Sequence, residues 1–374
     1  MKKQINASVF QQSLSQVGLN AATVAKKLGV SREAVSKWQR GDSFPRPDKL
    51  LRLGMILNQP YQALVQEPMA VNEPRVAYRA KANRKTTDEH INWAKDAGIR
   101  LRGLVPYLPE DRTRPPVLKA PQLDYNYVQK VAAEVREEMG VTKIEKISIQ
   151  HFLDQFQALD AVLIPVFWGE QKQHGNAMHA YLPDSMTTWV WLNLDSKMHD
   201  FMFWMAHELG HAYSPDLGGD EAEDFADLFA QCLLFPDAVA KKVHRQLFST
   251  ATLAERWSTI ASEAKRRMIS PYTIIKALES YSIDTAQSKI NFGRNYGAKL
   301  TRFNKNIKTI AEFLFNGIQP EPAEYIATCS KVFGTPFFNA LAALSEENEL
   351  TPPFLVKTMD VSLIDAKALC RELA

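Results

Sequence analysis

Residues 201–211 read FMFWMAHELGH, and this segment decides how the centre of the chain folds. Its apolar residues predict a buried helix, and within it His207 and His211 are four positions apart. Because an α-helix has about 3.6 residues per turn, both imidazoles lie on one face and can bind one metal ion. Glu208 can then reach a water molecule on that ion, so the spacing predicts a helical zinc site with Glu208 as general base. The alternative is a pair of core histidines with ordinary hydrogen bonds.

A catalytic zinc site needs a third protein ligand and keeps a fourth position for water. Residues 221–227 (EAEDFAD) follow closely and predict another helix. Glu223 and Asp227 are one turn apart, so one carboxylate can bind the metal while the other accepts a hydrogen bond from a liganding histidine. We predict Glu223 as the third ligand, with Glu221 or Asp227 as alternatives. Acidic residues near a helix N-terminus can also simply stay solvated.

The residues around this site predict a mixed fold. Residues 124–140 and 147–159 have the apolar spacing of amphipathic helices. Residues 161–168, 179–182 and 187–194 are apolar and rich in β-branched or aromatic side chains, which is typical of a small sheet. The pattern then returns to helix and stays helical to the last residue. The predicted class is therefore α+β, mostly helical.

The histidine segment and the acidic segment together resemble a known family. HELGH at 207–211 followed by E-x-x-A-D-x-F-A-x-x-L-L-x-P at 223–236 resembles the ImmA/IrrE metallopeptidases, and the resemblance extends over about residues 125–240. It implies a zinc-dependent endopeptidase. By motif position, the implied site residues are the zinc ligands His207, His211 and Glu223, the base Glu208 and the supporting carboxylate Asp227. Phe235 stands where the family often has Met, a conservative difference.

The predicted ligand set indicates peptide hydrolysis. Zinc lowers the pKa of a bound water and polarises a carbonyl, and Glu208 carries the water's proton to the leaving amine. We expect the strand at 188–193 to hold an extended substrate at the sheet edge. The group that stabilises the oxyanion stays open between His179, Tyr181 and Tyr213, each of which can equally be ordinary packing.

Residues 21–41 predict two short helices joined at Gly29. Glycine supports the sharp turn, Ser31 is a good N-cap, and the apolar residues of both helices share one face. The stretch resembles the Cro and phage-repressor-like (XRE) helix-turn-helix family over about residues 8–66. The second helix is then expected to enter the major groove of duplex DNA.

The predicted DNA contacts lie on the second helix and just after it. They are Arg32, Glu33, Ser36, Lys37, Arg40 and Arg46. In the resembling family, the positions of Arg32, Glu33 and Lys37 read bases, and those of Arg40 and Arg46 contact or neighbour the backbone. Residues 1–60 are basic, with ten Lys or Arg against three acidic residues. The alternative is a solvated charged helix on a protein-binding bundle.

The whole chain is long enough for two or three domains, with 374 residues of which 45% are hydrophobic. We predict a DNA-binding domain at 1–66, a connector at 67–123 with one helix around 87–97, a peptidase domain at 124–240 and a helical region of unknown role at 241–374. The three cysteines have no metal or disulfide spacing, and no apolar run is long enough to cross a membrane. We therefore expect a cytoplasmic protein.

Two functions compete at this stage. The first is a transcriptional regulator whose zinc endopeptidase cuts itself or a repressor in response to stress, with an operator in duplex DNA as the other partner. The second is a non-proteolytic transcription factor or antitoxin-like repressor whose peptidase-like domain senses a ligand or metal. A domain kept only for sensing has no chemical need for Glu208, which favours the first. Helix-turn-helix proteins commonly bind DNA as dimers, so a homodimer is an open expectation.

Overall fold

The computed structural model describes residues 4–5, 7–40, 43–59, 64–66, 73–79, 88–109, 117–167, 177–294 and 296–374. The chain divides into two compact units, Met1–Glu73 and Pro74–Ala374. The first unit is mainly helical, and the second combines many helices with a four-stranded sheet. The predicted α+β, mostly helical class is confirmed.

The described part of the first unit contains four helices and one short antiparallel strand pair. The helices are α1 (Ala7–Gln16), α2 (Ala21–Leu28), α3 (Arg32–Gln39) and α4 (Pro47–Leu57), and the strands are β1 (Gln4–Ile5) and β2 (Val65–Gln66). Their apolar faces form a core of their own, in which Val24, Leu28, Val35 and Trp38 are buried. These four residues belong to the apolar face that the sequence predicts for the two short helices.

The turn between α2 and α3 has the predicted chemistry. Gly29 has a φ of 65°, and its N–H donates to the carbonyl of Ala25 at the end of α2. Residues with a side chain rarely adopt this left-handed conformation, which explains the glycine. The Ser31 hydroxyl accepts a hydrogen bond from the N–H of Ala34 at 3.1 Å, so Ser31 caps α3. Both predicted roles are confirmed.

The sheet of the second unit contains strands from three separate parts of the chain. They are β3 (Arg75–Arg79), β4 (Val162–Val166), β5 (Ala177–Leu182) and β6 (Thr187–Asn193). The order is β3-β5-β6-β4, with β4 parallel to β6 and the other pairs antiparallel. All seven residues of β6 are buried, because β6 lies inside the sheet.

The strand order changes one expectation about the substrate. The strand at 188–193 was predicted to bind an extended peptide at a sheet edge, but β6 pairs with β5 on one side and β4 on the other. Its backbone groups are used by these neighbours, so the prediction is wrong. The edges of the described sheet are β4 and β3, and β3 comes from the stretch that the sequence analysis treated as a connector.

Helices surround this sheet and position the site. After β3 come α5 (Asp88–Leu101), a 3-10 helix (Arg102–Tyr107), α6 (Tyr125–Glu138) and α7 (Ile149–Ala158); after β6 come α8 (Met198–Tyr213) and α9 (Gly219–Leu234). The helices predicted around 87–97, 124–140 and 147–159 are therefore present. Helix α8 packs on β5 and β6, and α9 packs along α8 and α6.

The predicted helical region after residue 240 is helical in the structure. Its helices are α10 (Asp237–Ser249), α11 (Leu253–Arg267), α12 (Pro271–Asp284), α13 (Tyr296–Lys305), α14 (Ile310–Leu314), α15 (Pro322–Phe333), α16 (Phe337–Glu346), α17 (Pro352–Met359) and α18 (Leu363–Glu372). They share one hydrophobic core with the sheet. The indole N–H of Trp191 donates to the carbonyl of Thr358 at 2.7 Å, and the Thr335 hydroxyl donates to the carbonyl of Leu163 at 2.5 Å. Among the described residues, no helix is both long and apolar enough to span a membrane.

Candidate metal centre

Helix α8 buries three ionisable residues in a largely apolar segment. His207, Glu208 and His211 expose only 1%, 2% and 3% of their surfaces. Buried ionisable groups are costly unless they are hydrogen-bonded, paired or bound to a metal. The cluster on α8 therefore needs partners, and α9 supplies them.

The two histidines and Glu223 converge on one point. Nε2 of His207 lies 3.0 Å from Nε2 of His211. Oε2 of Glu223 lies 3.4 Å from Nε2 of His207, and Oε1 of Glu223 lies 3.6 Å from Nε2 of His211. Ligand atoms around a tetrahedral zinc, each at about 2.1 Å from the metal, are about 3.4 Å apart. Two imidazole nitrogens and one carboxylate group thus lie close enough together to hold a metal ion.

Asp227 lies behind His207. Its Oδ1 is 2.9 Å from Nδ1 of His207, so the Nδ1–H donates to the carboxylate and Nε2 faces the other ligands. Such a carboxylate fixes the orientation and tautomer of a liganding imidazole. Glu221, the other predicted alternative, is exposed and lies outside the cluster. The structure thus brings Glu223 to both histidines and places Asp227 in a hydrogen bond with His207.

Gly210 allows α9 to approach this closely. A Cβ atom built at Gly210 would lie 3.1 Å from the Cα of Ala226 and 3.1 Å from the ring of Phe229. Contacts this short are tighter than ordinary van der Waals packing, so any side chain here would push α9 away. Because Ala226 lies between Glu223 and Asp227, the glycine in the HELGH motif sets the distance between the histidines and both carboxylates. The sequence analysis did not assign this role, although the glycine stands inside the motif.

The protonation of His207 follows from its neighbours. Burial opposes a charge on this imidazole, but the hydrogen bonds with Asp227 and Glu223 outweigh burial and raise its pKa to about 9. His179 on β5 has the opposite environment, and burial together with nearby His207 lowers its pKa to about 3. In the metal-free protein at neutral pH, His207 is therefore protonated and His179 is neutral.

Two aromatic side chains line His207. The ring of Phe203 lies 6.2 Å and that of Trp204 5.6 Å from the imidazole, measured between centroids. These residues precede His207 by four and three positions, which is the spacing that places side chains together on a helix. They limit the room around the imidazole and shield it from water. The sequence analysis used these residues only as evidence of a buried helix.

The three candidates for oxyanion stabilisation are separated by the structure. The Tyr213 hydroxyl donates to Glu138 at 2.6 Å and accepts from Gln155 at 2.6 Å, so it is used elsewhere. The ring of His179 lies 5.7 Å from that of His211, and its Nε2 is buried with no hydrogen-bond partner among the described residues. Tyr181 stacks with Arg75, whose guanidinium carbon is 5.9 Å from its ring. His179 has the arrangement that suits a donor facing the site.

A family comparison agrees with this geometry. Residues 164–268 match the family model Peptidase_M78, the IrrE N-terminal-like domain. The matched segment contains most of the sheet and both helices of the cluster, so the IrrE-like match and the candidate metal site coincide. No curated protein and no solved structure matches the chain. The match supports a metallopeptidase-type enzyme, and the first unit lies outside it.

The predicted DNA contacts lie in the first unit. Arg32, Glu33, Lys37, Arg40 and Arg46 are exposed and Ser36 is half-buried, whereas Val35 and Trp38 of the same helix are buried. Lys37 and Glu33 form an exposed ion pair at 3.2 Å. The helix α3 therefore presents a polar face on the side opposite to the core. This arrangement is compatible with a DNA-reading helix and with a solvated one.

Proposed function

We propose that this protein is a zinc-dependent endopeptidase joined to a DNA-binding unit, and that it cuts itself or a repressor under stress. The observation that carries the enzymatic part is the convergence of His207, His211 and Glu223, with Glu208 buried in the same helix. The IrrE-like match supports the same reaction class. The substrate is a protein segment, and the predicted cofactor is Zn²⁺.

Each residue of the site has one task in this reaction. His207, His211 and Glu223 hold the ion, and Asp227 keeps Nε2 of His207 directed at it by accepting the Nδ1–H. A zinc ion held by these residues would lower the pKa of a bound water and polarise the scissile carbonyl. Glu208 takes the water's proton and later gives it to the leaving amine. The neutral imidazole of His179 donates a hydrogen bond to the developing oxyanion.

The zinc assignment is tested by metal analysis of the protein purified without chelator. We expect about one zinc per chain, lost in His207→Ala and His211→Ala and weakened in Glu223→Ala. Glu221→Ala is the matched control, because Glu221 begins the same helix but is exposed. A metal-free wild type, or a Glu223→Ala variant with undiminished affinity, would refute the ligand set.

The DNA-binding part of the proposal comes from the exposed polar face of α3. Arg32, Glu33 and Lys37 are expected at base edges, and Arg40 and Arg46 at phosphates, with Ser36 between them. In a gel-shift titration of the full chain on genomic fragments, Lys37→Ala should relax sequence preference and Arg46→Ala should weaken all sequences alike. Binding should fall steeply with salt. Absence of binding to duplex DNA at low salt would leave α3 as solvated surface.

In the non-proteolytic alternative, the protein has the same two units but hydrolyses no peptide bond. In that case the metal unit senses a ligand or the ion itself, and DNA binding is the whole output. Glu208→Gln separates the two, because Glu208 moves a proton in the enzyme and has no such task in a sensor.

A further inference from the structure

Strand β3 lies on the outer edge of β5 and stands at the beginning of the second unit in sequence. The pairing is antiparallel over five residues, from Arg75 opposite Tyr181 to Arg79 opposite Ala177. β5 is the strand that carries His179, whose ring contacts that of His211. The strand next to the candidate metal site is thus covered by a segment that begins one residue after Pro74, the first residue of the second unit.

One side of β3 faces the metal site. Directly opposed residues of an antiparallel pair point to the same face of the sheet, and Ala77 is opposite His179. Ala77 therefore lies on the side of α8, and α9 also contacts β3. The alternate residue Val76 is opposite Ala180, whose Cβ lies 3.7 Å from a Cβ built at Gly98 of α5. The other face of β3 is thus directed at α5, away from the metal site.

Among the β3 side chains that the structure describes, few make contacts on the metal side. Arg75 donates to the carbonyl of Pro215 at 3.0 Å and pairs with Asp216, both just after α8. The Arg75 and Asp216 side chains are 44% and 69% exposed, and exposed pairs contribute little stability. Ala77 and Val76 are only half-buried. On the metal side the backbone ladder with β5 is therefore the main attachment, and another extended chain can replace it there, whereas the opposite face of β3 packs on α5.

We propose that the outer edge of β5 is the binding site for an extended peptide substrate and that β3 is its intramolecular occupant. A strand edge can pair with only one partner at a time, so β3 must leave before a substrate pairs. The inference deepens the proposed function and rests on it. A segment with the sequence of β3 carries an arginine that pairs with Asp216 and an alanine that lies beside His179. β3 follows the proposed DNA-binding unit directly in the chain. A conformational change in that unit can therefore be transmitted to β3 through the polypeptide backbone.

Peptide binding to the full chain tests the occupied edge without relying on catalysis. The protein is zinc-loaded Glu208→Gln, and the probe is a fluorescein-labelled peptide with the sequence of residues 73–80 (EPRVAYRA), followed by anisotropy. Arg75→Glu repels Asp216, and Ala77→Pro disrupts the strand. Ala77→Pro should tighten peptide binding about tenfold or more and Arg75→Glu about threefold, because the apparent affinity scales with the fraction of chains whose edge is free. Lys276→Glu is the matched control, since it breaks an equally exposed ion pair, with Glu279 at 2.8 Å on α12, and it should leave binding unchanged.

The outcomes separate this inference from the proposed chemistry. Thermal unfolding and zinc content of all variants identify any that fail to fold. Equal affinity in every folded variant, or no binding in any, overturns the inference even if the wild type cuts proteins. Cleavage of the wild-type chain within residues 75–79 also overturns it, because β3 would then be a substrate. Tighter binding in both β3 variants supports it even if the wild type hydrolyses nothing, in which case only the proposed function fails.

Discussion

The proton on His207 makes zinc binding depend on pH. Its pKa is raised to about 9, so below pH 9 the metal-free site holds a proton that zinc must displace. Zinc binding at pH 7 should therefore release about one proton from His207, and the apparent affinity should rise about tenfold per pH unit until about pH 9. Calorimetry in buffers of different ionisation enthalpy measures the released proton, and chelator competition measures the slope.

Asp227→Asn provides the control for this pH dependence. The substitution removes a carboxylate that raises the pKa of His207. The pH at which the zinc affinity stops rising should therefore fall below 9. Asp154→Asn changes an exposed acid on α7 and should leave the profile unchanged. A zinc affinity that is flat between pH 6 and 9 would contradict the protonated histidine.

His179 is expected to act on the reacting carbonyl without holding the metal. His179→Phe keeps an aromatic ring beside His211 and removes the buried Nε2, which has no hydrogen-bond partner among the described residues. We expect zinc content to be retained and kcat on an unfolded protein substrate to fall about 100-fold to 1000-fold, as for loss of one oxyanion donor. Tyr213→Phe is the comparison, because its hydroxyl is engaged by Glu138, and it should cost stability more than kcat. Undiminished turnover by His179→Phe would show that this imidazole is packing only.

At the residue level, the sequence could predict what lies within one or two helical turns. His207, Glu208 and His211 are spaced by the helix itself, and the choice of Glu223 over Glu221 required only the same periodicity. His179 could not be chosen over the two tyrosines in this way. Its place beside His211 depends on how β5 packs on α8, which is a contact between segments about thirty residues apart.

At the level of elements, the closeness of α8 and α9 depends on Gly210. Gly210→Ala places a Cβ 3.1 Å from the backbone of α9, so α9 must shift and carry Glu223 away from the histidines. We expect weaker zinc binding and a loss of about 1–3 kcal/mol in the free energy of unfolding, although alanine favours helix by about 1 kcal/mol. Chelator competition and thermal unfolding measure both effects.

Gly297→Ala is the matched control for this helix contact. Gly297 lies in α13 with no atom within 4 Å of the added Cβ. Its substitution should leave zinc binding unchanged and leave stability equal or slightly higher, because only helix propensity changes. If Gly210→Ala behaves like Gly297→Ala, the close approach of α8 and α9 does not control the site.

Strand order was the part of the fold that the sequence could not provide. The composition of 187–194 predicts a strand, but period and composition do not state which neighbours it has. β6 is flanked on both sides, and the edge next to β5 is filled by residues 75–79, about a hundred positions away in the chain. Prolines and charged residues around β3 gave that stretch the composition of a connector.

For the whole molecule, the helices after residue 240 belong to the structure that supports the metal site. The hydrogen bonds from Trp191 to Thr358 and from Thr335 to Leu163 join β4 and β6 to α15–α17, and the same core encloses them. Composition predicted the helices but gave no indication of this shared core, because it depends on contacts between distant segments. The metal site is therefore supported well beyond the segment that resembles a known peptidase.

The proposal as a whole is decided by a variant that keeps both units and loses only proton transfer. Glu208→Gln should retain fold, zinc and DNA binding through Arg32 and Lys37, while cleavage of the target or of the chain itself stops. If cleavage relieves repression, cells carrying Glu208→Gln should stay repressed under the inducing stress. Reporter output and an immunoblot for the protein and its candidate repressors, before and after DNA damage, measure both consequences together. Gln150→Glu, at an exposed position of α7, controls for the change between acid and amide. Normal induction by Glu208→Gln, with no fragment in the wild type, would establish the sensor alternative instead.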